Sequence, residues 1–215
     1  MLVFAFAGVI GETLFSEWWK AFYTKSFWAY KVEAVAHSYT SFLNFIPWAI
    51  GGMLFLNILG ITAGATLNYR AIAAAEIPFY LIFALALLVG LLIQWIVFHS
   101  AGINKFKHAS LSNYLFFIFP FLLALAVCVL VYSPNFVGIA VAFGILGAFF
   151  EYLFGKACEL FISKKLWTYK YLTIDNDHFT PLSLVPFSLA GFYFWGIALL
   201  LQSLLKNFFA IIKVL

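Results

Sequence analysis

The chain has 215 residues, of which 66% are hydrophobic and only 9% charged, with a mean hydropathy of +1.05 and a formal net charge of +4. So little charge cannot solvate a globular domain, which leaves lipid as the solvent and offers no soluble basic face for nucleic acid. Apolar runs of about 20 residues between short charged loops fit transmembrane α-helices, whose backbone polar groups are all paired internally. The roughly ten-residue alternating segments of a transmembrane barrel are absent.

In chain order, spans are expected near residues 1–21, 40–60, 73–98, 113–132, 136–161 and 180–204. The fold class is therefore all-α, a polytopic helical bundle of about six transmembrane helices forming one domain over residues 1–215. The opening run lacks a basic leader and a small-residue cleavage site, so it reads as the first span. Ser133-Pro134-Asn135 makes a tight turn between antiparallel neighbours, whereas the loops around 22–39, 99–112 and 162–179 are longer and polar.

Basic residues orient the bundle, because cytoplasmic loops retain Lys and Arg. Lys20, Lys25, Lys31, Lys105, Lys107, Lys156, Lys164, Lys165 and Lys170 flank or occupy the three long loops, against Arg70, Lys206 and Lys213 on the other face. The expected arrangement places the long loops in the cytoplasm and both termini outside, in the cytoplasmic membrane of a prokaryote. Membrane lipids are the expected partners, together with other membrane subunits if the chain is part of a larger assembly.

An ungapped shift of 139 positions superimposes the first hairpin on the last. Gly8, Glu12, Leu14, Phe15 and Phe22 match Gly147, Glu151, Leu153, Phe154 and Phe161; Lys25, Trp28, Tyr30 and Lys31 match Lys164, Trp167, Tyr169 and Lys170; Leu43, Pro47, Gly52 and Phe55 match Leu182, Pro186, Gly191 and Phe194. The expected units are a repeat over 5–58, a middle hairpin over 73–132 and a second repeat over 144–197. An even number of spans separates the copies, so they share one orientation, as parallel repeats do.

Glu12 and Glu151 are the candidate catalytic acids. Each lies inside a span, where an ionised carboxylate is costly and usually faces a bundle interior or wet cavity. Ala5, Gly8, Glu12 and Ser16 fall on one helical face, as do Gly144, Gly147, Glu151 and Gly155, and such stripes of small residues let helices approach closely. The alternative is that each acid only hydrogen-bonds a neighbouring helix. Trp28, Tyr30, Lys31, Trp167, Tyr169 and Lys170 are candidate substrate-binding residues in the long loops, although aromatic rings and lysines also anchor loops at headgroup depth. Asn44 and Ser183 complete that candidate set, with Gln94 and Thr180 as further polar residues able to line a cavity. Pro47, Pro120 and Pro186 are expected to loosen the second helix of each hairpin and free a carbonyl.

His37, His99, His108 and His178 share one side of the membrane without metal-ligand spacing, and Cys128 and Cys158 read as small apolar residues, so neither a metal nor another cofactor is implied. P-loop, dinucleotide-binding and nucleophile-elbow patterns are also absent. An acid on one helix, a Trp-containing loop and a Pro opening the next helix, repeated twice, resemble the small membrane lycopene cyclases of carotenoid synthesis. That resemblance implies Glu12 and Glu151 as acids protonating an isoprenoid double bond without a cofactor. The Pro-Glu-Glu pattern of that family is replaced here by Pro47-Trp48-Ala49 and Pro186-Phe187-Ser188. Three functions therefore stand side by side: a site binding or transforming a lipid- or isoprenoid-like molecule, a proton- or cation-coupled transporter, and a structural subunit of a larger complex. Whether the chain is an enzyme is left open at this level.

Overall fold

The computed structural model describes residues 1–66 and 76–214. Arg70 and residues 73–75, where the middle hairpin was expected to open, lie outside the described residues. Among the described residues six long helices lie at the six expected positions: α1 (Leu2–Phe22), α2 (Phe45–Thr66), α3 (Glu76–Ser100), α4 (Leu111–Val131), α5 (Asn135–Ile162) and α6 (Leu184–Val214). Five of these, α2 to α6, are long and apolar enough to cross a membrane, as in an integral membrane protein. Helix α1 has 21 residues but carries Glu12 and Glu17 within them and is not among the five.

The helices pair as hairpins α1/α2, α3/α4 and α5/α6, with α2 packed against both α5 and α6. Close approach is made by glycine: a methyl on Gly8 would meet the Trp48 ring at 2.2 Å, one on Gly147 would meet Phe187 at 2.9 Å, and one on Gly144 would meet the Leu184 carbonyl at 2.6 Å. The small-residue stripes thus lie on hairpin interfaces, with Ala5, Gly8, Glu12 and Ser16 buried on α1 and Gly144, Gly147 and Gly155 buried on α5. The outward faces are greasy, as a lipid-facing surface is: Leu81, Leu85, Leu88, Leu92 and Ile96 form an exposed row on α3.

The loops depart from the all-α expectation. Between α1 and α2 the chain forms β1 (Trp28–Tyr30), β2 (Ala34–Val35) and β3 (Thr40–Ser41), and between α5 and α6 it forms β4 (Trp167–Tyr169). Strands β1 and β4 pair antiparallel, Trp28 opposite Tyr169, Ala29 opposite Thr168 and Tyr30 opposite Trp167. The pairing extends through Lys31 N to Leu166 O at 2.8 Å and Lys170 N to Phe27 O at 3.0 Å. The physical reason is burial. Tyr30, Trp167, Thr168 and Tyr169 are buried, and backbone groups out of reach of water must find partners on another segment.

Each loop then turns back through left-handed residues, Ala36, His37 and Ser38 in the first and Asp175, Asn176 and Asp177 in the second. Asp and Asn tolerate that conformation through short polar side chains, whereas Ala36 does so at a steric cost. Both loops end in a 3-10 turn that feeds the next helix, over Phe42–Asn44 and Pro181–Ser183. The Ser41 hydroxyl accepts from Leu43 N at 3.2 Å and the Thr180 hydroxyl from Leu182 N at 3.3 Å, capping the two turns.

The prolines also sit differently from the expectation. Pro47 and Pro186 are each the third residue of their helix, in the first turn, where a missing N–H removes no helical hydrogen bond. Only Pro120 is interior to its helix. It deprives the Phe116 carbonyl of its donor, and Gln94 supplies one instead, its Nε2 reaching Phe116 O at 2.6 Å and Phe117 O at 2.9 Å while Oε1 accepts from Trp18 Nε1 at 3.1 Å. Gln94 is thus committed to joining α1, α3 and α4.

Two aromatic cores fill the bundle. One runs through the helices around Phe79, Phe136, Phe143, Phe192 and Trp195, and the other lies at the strand end around Trp19, Phe22, Tyr23, Phe27 and Phe117. The α3/α4 contact depends on Gly90, where an added methyl would lie 2.7 Å from the Pro120 Cα, a backbone atom that cannot swing away. Gly60 has nothing within 4 Å of the same position. Gly90→Val should therefore lower stability by roughly 1–3 kcal/mol through overpacking, read as a fall in the thermal midpoint of the purified protein, while Gly60→Ala should leave it unchanged or raised. Equal effects of the two substitutions would contradict the described α3/α4 packing.

Candidate functional site

Glu12 sits midway along α1, facing the loop that follows its own helix. Tyr30 at the end of β1 donates its hydroxyl to Glu12 Oε1 at 2.5 Å, and Thr40 opening β3 donates to Oε2 at 2.6 Å. Asn44, the last residue of the 3-10 turn, donates Nδ2 to Oε1 at 2.9 Å and Oε2 at 2.8 Å, and also to the Tyr30 oxygen. Three donors therefore satisfy one buried carboxyl, and each comes from a different element of the folded-back loop. Burial, reinforced by the neighbouring Glu12, pushes the Tyr30 phenol well above the ordinary range, so it remains a donor throughout the physiological range.

Glu151 on α5 is held more sparingly. Tyr169 at the end of β4 lies 2.5 Å from both of its oxygens, and burial together with Glu151 likewise raises the Tyr169 phenol. Ser183 occupies the 3-10 position that Asn44 holds in the first hairpin, but its hydroxyl donates to the Thr180 carbonyl at 2.8 Å. Phe179 stands where the first loop has Thr40 and brings no polar group.

Both acids line one cavity of about 790 Å³. Glu12, Tyr30, Asn44, Glu151 and Ser183 line its strand end, with the rings of Trp28 and Trp167 beside them, while Tyr80 and Tyr193 add phenols farther along the helices. Away from that end the wall is largely apolar, with Phe55, Ile58 and Phe194 from the outer hairpins and Phe83 and Leu87 from α3. Such a shape, apolar with a few convergent polar groups, is the usual form of a small-molecule site.

Of the loop residues singled out from sequence, Trp28, Tyr30 and Trp167 line the cavity and Tyr169 reaches it through Glu151. Lys31 and Lys170 are exposed, with Lys170 Nζ turned to Thr168 Oγ1 at 3.1 Å. Asn44 and Ser183 line the cavity; Gln94 serves the Phe116 and Phe117 carbonyls and Thr180 the turn cap instead. Thr40 escaped the sequence reading because its counterpart is Phe179, so the internal match conceals it. Trp48 was noted only as a departure from a family pattern, yet its ring lies in the cavity wall with an indole N–H that makes no hydrogen bond.

The loop tips are fastened outside the cavity. Lys20 Nζ reaches the Tyr39 hydroxyl at 2.5 Å in the first hairpin, and His178, 2% exposed, meets Glu159 Oε2 at 2.6 Å in the second. Asp175 accepts from Tyr152 at 2.8 Å and pairs with Lys156 at 2.7 Å, contacts that hold its carboxyl below the ordinary range. His37, His99 and His108 are exposed, and among the described residues no group of three potential ligands could hold a metal. Comparison with protein-family models, with curated proteins and with solved structures gives no match.

Because Asn44 supplies two of the four hydrogen bonds at Glu12, Asn44→Leu should lower stability by roughly 1–3 kcal/mol, the cost of leaving buried polar atoms unpaired. Asn57→Leu on the exposed face of the following helix should shift it by less than about 0.5 kcal/mol. Parallel thermal melts in one detergent measure both, and indistinguishable melts would contradict the assigned role of Asn44.

Proposed function

We propose that the chain binds, and with its two acids transforms, a lipid- or isoprenoid-like molecule between its outer hairpins. One observation carries this reading: both intramembrane carboxyls line a single cavity whose remaining wall is largely apolar and aromatic. A ligand suited to it has a long apolar body among Phe55, Phe83 and Phe194 and a polar or reactive group near Glu12 and Glu151. Following the resemblance to the membrane lycopene cyclases, the acids would protonate an isoprenoid double bond, with Trp28 and Trp167 offering π faces to the resulting cation.

The reading includes an origin of the site by duplication. Supporting it, the 3-10 turns Phe42–Asn44 and Pro181–Ser183, the starts of α2 and α6, and the left-handed residues of both loops are related by the same shift of 139 positions. The β1/β4 pairing is centred on Ala29 opposite Thr168, which are themselves equivalent under that shift, as an isologous contact requires. With the long loops cytoplasmic, the strand end of the cavity faces the cytoplasm of a prokaryotic cell, and surrounding membrane lipid supplies the ligand.

The test is mass spectrometry of organic extracts from the purified protein. A defined lipid or isoprenoid should co-purify in near-stoichiometric amount and should be depleted about tenfold or more by Glu12→Gln in folded protein, if the partner lost is charged and costs roughly 1.5–3 kcal/mol, and several-fold by Glu151→Gln, where a neutral partner costs about 0.5–1.5 kcal/mol. Extracts indistinguishable from bulk membrane lipid, with no difference between wild type and variants, would contradict the proposal and favour a structural subunit.

A further inference from the structure

The two acids occupy equivalent places but unequal surroundings. All four oxygen–donor contacts of Glu12, from Tyr30, Thr40 and twice from Asn44, bring a hydrogen to the carboxyl. An ionised carboxyl is acceptor-only and has about four lone-pair sites, so this set suits a carboxylate, whereas a protonated Glu12 would have to turn one of the two hydroxyls round to accept. Glu151 receives a single phenol, shared between its oxygens, and the positions that would supply the other donors hold Phe179 and a Ser183 already engaged with the Thr180 carbonyl. The titratable groups around Glu151 are Tyr169 of β4, Tyr30 of β1 and Glu12 of α1. Two carboxyls opening into one largely apolar cavity do not both ionise readily, and the one with fewer donors keeps the proton.

We propose that the pair is divided in function, Glu12 being the fixed negative charge of the cavity and Glu151 the group that carries the exchangeable proton, with Phe179 and Ser183 maintaining the difference. The proposal rests on the reading of the cavity as a ligand site. When the proton passes to a ligand, the O–H bond of Glu151 breaks, its electron pair stays on the carboxylate, and the positive charge gained by the ligand faces Glu12. Loss of a proton from the ligand to the Glu151 carboxylate restores the acid, with no net oxidation or reduction. Tyr30, Thr40 and Asn44 act as positioning residues, keeping Glu12 an acceptor. A symmetric pair would offer two alternative donors; this pair offers one, and with it a defined polarity across the cavity.

Infrared spectroscopy of the full chain in detergent at neutral pH tests this without reference to any ligand. The expected spectrum has one protonated-carboxyl C=O band that shifts in deuterated water, is retained in Glu12→Gln and is lost in Glu151→Gln. A double variant, Phe179→Thr with Ser183→Asn, keeps the carboxyl of Glu151 but gives it the donors of Glu12, so the proton should be shared and the band displaced from its wild-type frequency, which guards against a Gln variant that fails to fold; a band left unmoved would also overturn the division. A band that is absent from the wild type, kept in both Gln variants, lost in both, or lost only in Glu12→Gln would overturn the division. Because the readout is the protonation of two side chains, it can fail while lipid extraction succeeds, and can succeed where no ligand is found.

Discussion

A carboxyl group placed inside an apolar bundle must be met by hydrogen-bond donors, and the structure is organised by how that requirement is satisfied. Water is scarce there and the helix backbones have no spare N–H groups, so the donors have to be side chains brought from elsewhere. Here they come from the loops. Tyr30 and Tyr169 can reach Glu12 and Glu151 only if the chain after α1 and after α5 folds back between the helices. Once inside, the loop backbones need partners in turn, and they find each other as β1 and β4. Carboxyl, phenol and strand pair are links of one dependency.

The same economy recurs wherever the bundle departs from regularity. Pro120 strips a donor from Phe116, and Gln94 replaces it while tying α3 to Trp18 on α1. Pro47 and Pro186 escape this problem by lying in first turns. The loop tips are fixed by chemically different pairs at equivalent places, Lys20 with Tyr39 and Glu159 with His178. Different atoms thus make similar contacts at the two loop tips, whereas at the cavity Glu12 receives three donor side chains and Glu151 one.

Much of this was legible in the sequence because the bilayer imposes strong patterns. Helix positions followed from apolar length, and Glu12 and Glu151 stood out as charges in apolar runs flanked by glycine. Two features were not legible. Short strands in a membrane bundle leave little periodicity, and Trp28-Ala29-Tyr30 looks the same whether it anchors at headgroups or re-enters the core. Thr40 was hidden because matching the halves draws attention to identities, while the informative position is one where Thr40 faces Phe179. Lys31 and Lys170 show the converse: they match across the shift, yet both are exposed and take no part in the cavity wall.

The meeting of the two re-entrant loops is the claim on which the cavity, the phenol contacts and the pairing of the acids all depend. Ala29 and Thr168 are direct partners in the β1/β4 pair. Partnered residues on antiparallel strands have Cα atoms roughly 4.5–5.5 Å apart, within the range a disulfide can span. In a chain with Cys128 and Cys158 replaced by alanine, Ala29→Cys with Thr168→Cys should form an intramolecular disulfide under mild oxidation, read as a reducible shift in electrophoretic mobility. The same pair remaining as two free, alkylatable thiols in folded protein would contradict the account.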